Sequence, residues 1–199
     1  MHKKLFEMST EELWQLFPIV LTGHKTYWKD WYTEEARLLH HTLPADQVIR
    51  ICHIGSTAVA EIHAKPIIDI LVETTKNSDF SSLTELLTQA GYLCMSKSRH
   101  RSSFNKGYTE NGFADQVFHL HLRRFGDHDE LYFCDYLNAY PHIAQKYEQL
   151  KLELWKQYEH DRDGYTEAKT AFISHYTRCA KAEYGNRYEM IPETAPAAR

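Results

Sequence analysis

The clearest pattern in the chain is an alternation at residues 117–123. Phe118, Leu120 and Leu122 fall on one side of an extended backbone, and His119, His121 and Arg123 fall on the other. Two further runs read as strands. Residues 48–54 are rich in β-branched side chains and stop at Gly55. The run Ile67-Ile68-Asp69-Ile70-Leu71-Val72-Glu73 is apolar almost throughout, as expected of a central strand covered on both faces. Weaker strands are expected at 92–95 and 103–106, with the cationic Lys97-Ser98-Arg99-His100-Arg101 at their turn. Helical periodicity takes over elsewhere. Ser9 or Thr10 caps a helix over 11–17, and residues 18–21 suit an extended segment. A second helix starts at Thr33, with acids in its first turn. Residues 57–64 suit a short helix broken at Lys65-Pro66, and 80–89 form an amphipathic helix ending at Gly91. The last third is helical: 129–139 and 142–158 meet at Pro141, and one long helix runs from Gly164 or Tyr165 to about Tyr184. Strands closed by helices predict an α+β fold, a mixed sheet flanked by helices. Residues 1–190 are expected to form one domain and 191–199 a flexible tail.

Composition narrows the picture. With 199 residues, 43% of them hydrophobic and 25% charged, the chain can bury a sizeable core without disulfides or structural metals. A net charge of -4 argues against a broad footprint on duplex nucleic acid, but leaves room for a local phosphate pocket. Cys52, Cys94, Cys134 and Cys179 lie far apart, so no zinc or redox pair is expected, and Cys52 reads as a small buried residue. No stretch approaches the ~18 apolar residues of a membrane span, and no leader peptide is visible. The expectation is a cytoplasmic protein with reduced thiols.

Chemistry concentrates between residues 53 and 73. The first strand ends in His53-Ile54-Gly55-Ser56-Thr57, and the next carries Asp69. Glycine lets a phosphate approach the backbone, and a carboxylate on the neighbouring strand can face it. On the alternating strand, His119 and His121 share a face, as two imidazoles must to reach one metal ion or one phosphate.

Taken with Phe104-Asn105-Lys106-Gly107-Tyr108, Leu131-Tyr132-Phe133-Cys134-Asp135 and Tyr165-Thr166-Glu167-Ala168-Lys169, these runs resemble the GrpB family, whose members are similar in fold to nucleotidyltransferases. The resemblance covers most of the chain and implies a nucleotidyltransferase-like fold. Some members are similar to a domain fused to dephospho-coenzyme A kinase, which hints at nucleotide chemistry by association. The resemblance carries over Gly55 and Ser56, as a phosphate-binding bend, and Asp69, as the catalytic and metal-holding acid; Thr57, Lys65 and Lys169 are further candidates for holding the phosphate and neutralising its charge. The expected ligand is a nucleotide or other phosphate. The implied cofactor is a divalent metal, Mg²⁺ or Mn²⁺, or Zn²⁺ if His119 and His121 join Asp69. Two readings stay open, a metal-assisted nucleotidyl transferase with an unknown acceptor and an inactive nucleotide- or anion-binding module. The second gains weight at Leu71, which stands where the superfamily carries its second acid. Residues i and i+2 of a strand lie ~7 Å apart on one face, whereas Glu73 is ~13 Å from Asp69 and cannot substitute.

Plainer roles compete with each of these. Gly55 serves equally as a turn glycine, and Asp69 as half of an ion pair with Lys65 or an arginine. His53 suits a satisfied core position, and Glu73 the exposed end of its strand. His119 and His121 suit a solvated sheet face. Lys169 fits a stripe with Tyr165 and Phe172, its head snorkelling to water. The 97–101 cations fit a solvated turn or a cover over phosphates.

Overall fold

The computed structural model describes residues 3–189, so the expected tail at 191–199 lies outside the described residues. Five strands form one mixed sheet: β1 (Val48–Ile54), β2 (Ile68–Thr74), β3 (Leu93–Lys97), β4 (Arg101–Thr109) and β5 (Gly112–Arg124). Their spatial order is β1-β2-β5-β4-β3. All neighbours are antiparallel except β2 and β5, which run parallel with Asp69 opposite His119 and Leu71 opposite His121. The helices are α1 (Thr10–Leu16), α2 (Trp28–Thr42), α3 (Phe80–Gln89), α4 (Asp129–Ala139), α5 (Pro141–Tyr158), α6 (Arg162–Ala168) and α7 (Thr170–Tyr184). This is an α+β fold with a helical final third.

The pleat sorts the two faces. Ile68, Ile70 and Val72 of β2, with Phe118, Leu120 and Leu122 of β5, join one buried cluster with Trp28 and Leu39 of α2 and Leu83 and Leu87 of α3. That face is a conventional apolar core. Asp69, Leu71 and Glu73, with His119, His121 and Arg123, therefore face the other way, toward the C-terminal helices. Leu71 is fully buried there against Ile54 and Leu131.

Several local expectations need correction. The second helix starts at Trp28, earlier than Thr33, and Trp28 is wholly buried. Residues 57–64 hold only a short 3-10 turn over Ser56–Ala58. The expected helix through Tyr184 breaks at Lys169, the last cap of α6 and the first cap of α7. Cys52 is half-buried rather than buried. Glu73 is the largest departure. It is fully buried, with Arg50 Nε 2.7 Å from Oε2, while Oε1 accepts from the backbone of Gly126 and meets His128 Nδ1 at 2.7 Å. A strand-end position exposes a side chain only where nothing folds over it, and here both β1 and the loop after β5 do.

A lysine-lined cavity over the central strands

A cavity of about 470 Å³ lies on the second face of the sheet, and Gly55, Ser56, Thr57, Lys65, Asp69, His119, His121 and Lys169 all line it. The fold thus brings every expected site residue to one space. It adds Lys151, Tyr147, Arg101 and Glu130.

The bend after β1 is built around Asp69. Gly55 has φ +71°, and a Cβ at this position would sit 2.3 Å from Asp69 Oδ2. Glycine is required on both counts, by the backbone and by the carboxylate packed against it. Ser56 follows and lines the cavity together with the Tyr147 phenol. The Thr57 hydroxyl is already committed: it donates to the Ile67 carbonyl at 3.3 Å and accepts from His53 Nε2 at 2.9 Å. Burial in turn holds the His53 imidazole down to about 4, so it is neutral. His53 also stacks on Tyr32, which makes it a satisfied interior histidine.

The other carboxylate oxygen faces two imidazoles. Oδ1 lies 3.4 Å from His119 Nδ1 and 3.5 Å from His121 Nε2, long for hydrogen bonds but close for electrostatic contact. The far side of each ring decides which nitrogen carries hydrogen. Arg162 donates to the Tyr108 hydroxyl at 2.9 Å, leaving the phenol's own proton for His119 Nε2 at 2.8 Å. His119 therefore turns Nδ1–H toward Asp69. Arg123, which can only donate, faces His121 Nδ1 at 3.2 Å, so His121 turns Nε2–H toward Asp69. Burial alone would raise the Asp69 carboxyl, but these two facing imidazoles outweigh it and hold the acid well below the usual carboxylate range. Burial lowers His119, with Asp69 opposing, so that ring is neutral near pH 7.

This arrangement does not fit a metal held jointly by Asp69, His119 and His121. A histidine binds metal through a nitrogen lone pair, and here the nitrogens beside Asp69 carry hydrogen. Freeing His121 Nε2 would put Nδ1–H against the Arg123 guanidinium. Among the described residues, no group of three or more His, Cys, Asp or Glu side chains is set to hold a metal ion. The place of a second acid is closed as well, because Leu71 is sealed in apolar packing.

Cations dominate the opposite wall. Lys65 comes from the loop before β2, Lys151 from α5, and Lys169 from the α6–α7 junction. Lys65 and Lys169 flank the Tyr165 ring, at 5.5 and 4.1 Å from its centroid, and Lys151 lies 4.9 Å from that of Tyr147. Lys151 also donates to the His63 carbonyl. Among the described residues, neither Lys65 nor Lys169 has a salt-bridge partner, contrary to the ion pair of Asp69 with Lys65 considered above. Burial pulls Lys65 and Lys151 down to about 7, helped by neighbouring cations, and Lys169 down to about 8. Lys169 is therefore half-buried and turned into the cavity, not snorkelling to water. Lys151 escaped the sequence reading, though one signal was present. It sits on the buried face of α5 with Ala144, Tyr147 and Leu154, and a lysine inside an apolar stripe asks for a partner.

Arg101 lines the cavity from the start of β4, and its guanidinium is held by Asp127 through Nε at 2.5 Å and through a second nitrogen at 2.6 Å. Glu130 is 3.3 Å from Arg123.

Fold and site together define an α+β protein with a mixed five-stranded sheet and a cation-walled cavity over its parallel strand pair. The GrpB protein family model matches residues 18–178, and the chain belongs to the GrpB family. It is 35% identical over 161 residues to the glutamate-rich protein GrpB of Alkalihalophilus pseudofirmus, covering 78% of this chain and 91% of that one. The crystal structure of GrpB from Enterococcus faecalis superposes with a TM-score of 0.72 at 29% identity, over 83% of this chain and 99% of that one. A fainter likeness, TM-score 0.48 at 14% identity over 75% of this chain and 47% of the other, is to the Cid1 poly(U) polymerase, too weak to carry an argument. Among the described residues no helix is long and apolar enough to cross a membrane.

Proposed function

We propose that this chain binds the phosphate groups of a nucleotide-type ligand in the cavity, as a binding module rather than a two-metal nucleotidyl transferase. One observation carries the reading: Lys65, Lys151 and Lys169 line one partly enclosed space, and neither Lys65 nor Lys169 has a salt-bridge partner among the described residues. Buried cations without partners are costly, and an anion that enters between them removes that cost. The Gly55-Ser56 bend adds a close-approach surface, and Tyr147 and Tyr165 add aromatic walls. A phosphoryl group offers several acceptor oxygens, which suits three converging ammonium donors better than a lone carboxylate would.

The transferase reading draws on Gly55, Ser56 and Asp69 sharing one cavity, but Leu71 deprives it of the second acid.

Thermal unfolding in the presence of ATP, GTP, AMP, tripolyphosphate and inorganic phosphate tests the proposal. A ligand at 100 times its dissociation constant adds about 2.7 kcal/mol, a rise in Tm of several degrees for a chain of this size. The shift should grow with phosphate number and shrink at least tenfold in affinity when Lys65 and Lys169 are both changed to methionine. No shift with any phosphate compound would overturn the proposal.

A further inference from the structure

We propose that the cavity takes its phosphate ligand as the free anion rather than as a complex with a divalent metal. The inference rests on the reading of the cavity as a phosphate site and states the chemical form that site selects. Sites that bind metal–phosphate complexes offer carboxylate oxygens to the ion, so that the ion bridges acid and phosphate. Here the acid is not on offer. Oδ1 of Asp69 faces Nδ1–H of His119 and Nε2–H of His121, and both orientations are enforced from behind, by the Arg162–Tyr108 pair and by Arg123. Oδ2 packs against the Gly55 backbone, close enough to exclude even a methyl group. Glu73, the next acid on the strand, is consumed by Arg50, His128 and the Gly126 backbone. The charge that a metal ion would supply is already present as Lys65, Lys151 and Lys169. A ligand that arrived with its own divalent cation would bring positive charge against these ammonium groups and find Asp69 engaged by the two imidazoles, while the other acids lining the cavity, Asp129 and Glu130, are ion-paired with Lys181 and Arg123.

Asp69 then has a role opposite to that of a metal ligand. It is the resident negative charge of a cationic cavity and competes with the phosphate for the lysines. This separates the two possibilities by the sign of one substitution. Asp69→Asn keeps the shape, removes the charge, and raises affinity for an anion. A metal-bridged site would lose its ligand instead.

Isothermal titration at pH 6.5, with ATP and with tripolyphosphate, decides the matter on the unmodified protein. Each titration is run in EDTA and again in excess Mg²⁺ at matched ionic strength. The expected result is binding in EDTA that weakens at least tenfold in Mg²⁺, as nearly all the ligand becomes the metal complex. Affinity that is unchanged or tighter in Mg²⁺ overturns the inference. So does Asp69→Asn protein that keeps its circular dichroism yet binds more weakly in EDTA; an increase of a few-fold is expected. Binding seen only with Mg²⁺ would sink the metal-free form while leaving the cavity a phosphate site. Failure to bind under either condition would remove both.

Discussion

Gly55 shows how much one position carries. Its φ of +71° lies where side chains other than glycine are strained, and the space a Cβ would need is held by Asp69 Oδ2. Gly55→Ala is therefore expected to cost roughly 2–4 kcal/mol, combining backbone strain with overlap. Urea unfolding would measure it. The overlap half should vanish in the Gly55→Ala, Asp69→Ala double variant, which then loses less than the two single changes add up to. A fully additive result would show that the bend does not lean on the carboxylate. At this scale the sequence was informative where a residue clashed with its surroundings. Asp69 stood out because an acid within Ile67 to Val72 must find a partner. Glu73 misled, since its partners Arg50, Gly126 and His128 come from segments that nothing in the local pattern brings together.

Among the elements, the parallel pairing of β2 with β5 does most to assemble the site. It sets Asp69 opposite His119 and places both histidines on the cavity face. The alternation in β5 and the apolar run of β2 were legible, because strand periodicity is a local property. Their adjacency was not, since a parallel pair is closed by a long crossover. The break between α6 and α7 was hidden as well: Thr166 to Thr170 suit a helix, yet the helix is interrupted at Lys169, whose side chain lines the cavity. The three lysines arrive on a loop, a helix and a helix junction, so no spacing rule would have grouped them. Their convergence yields a prediction with two opposed readouts. Lys65→Met removes a desolvated cation that has like-charged neighbours and no salt bridge among the described residues. Stability at pH 6.5 should rise by about 1–2 kcal/mol in urea unfolding while phosphate affinity falls. A variant that loses both stability and affinity would mean that Lys65 is held by structure, and the cavity is not poised for an anion.

Across the whole molecule these ionisations set a pH profile. Lys65, Lys151 and Lys169 are lowered from 10.5 to about 7, 7 and 8 in the folded chain. Between those values and the ordinary lysine value, the unfolded chain binds more protons than the folded one, so stability rises with pH. His53, lowered from 6.5 to about 4, acts in the same direction between these values. Opposing terms enter at high pH. Burial pushes the Cys52 thiol up to about 11 and Cys134 up to about 12, and it raises the Tyr147 and Tyr165 phenols as well. Above about pH 9 the unfolded thiols and phenols ionise while the folded ones hold their protons, and stability falls again. Without ligand, the unfolding free energy should climb from pH 6 to a maximum near pH 9 and then decline. Saturating tripolyphosphate should flatten the rising limb, because bound anion returns the lysines toward their ordinary values and draws protons into the complex. Denaturant titrations at half-unit pH intervals, with and without tripolyphosphate, would trace both curves. A ligand-free profile that is flat or falling between pH 6.5 and 8.5 would show that the lysines are solvated rather than turned into the cavity, and a rising limb that tripolyphosphate leaves untouched would place the anion elsewhere on the molecule.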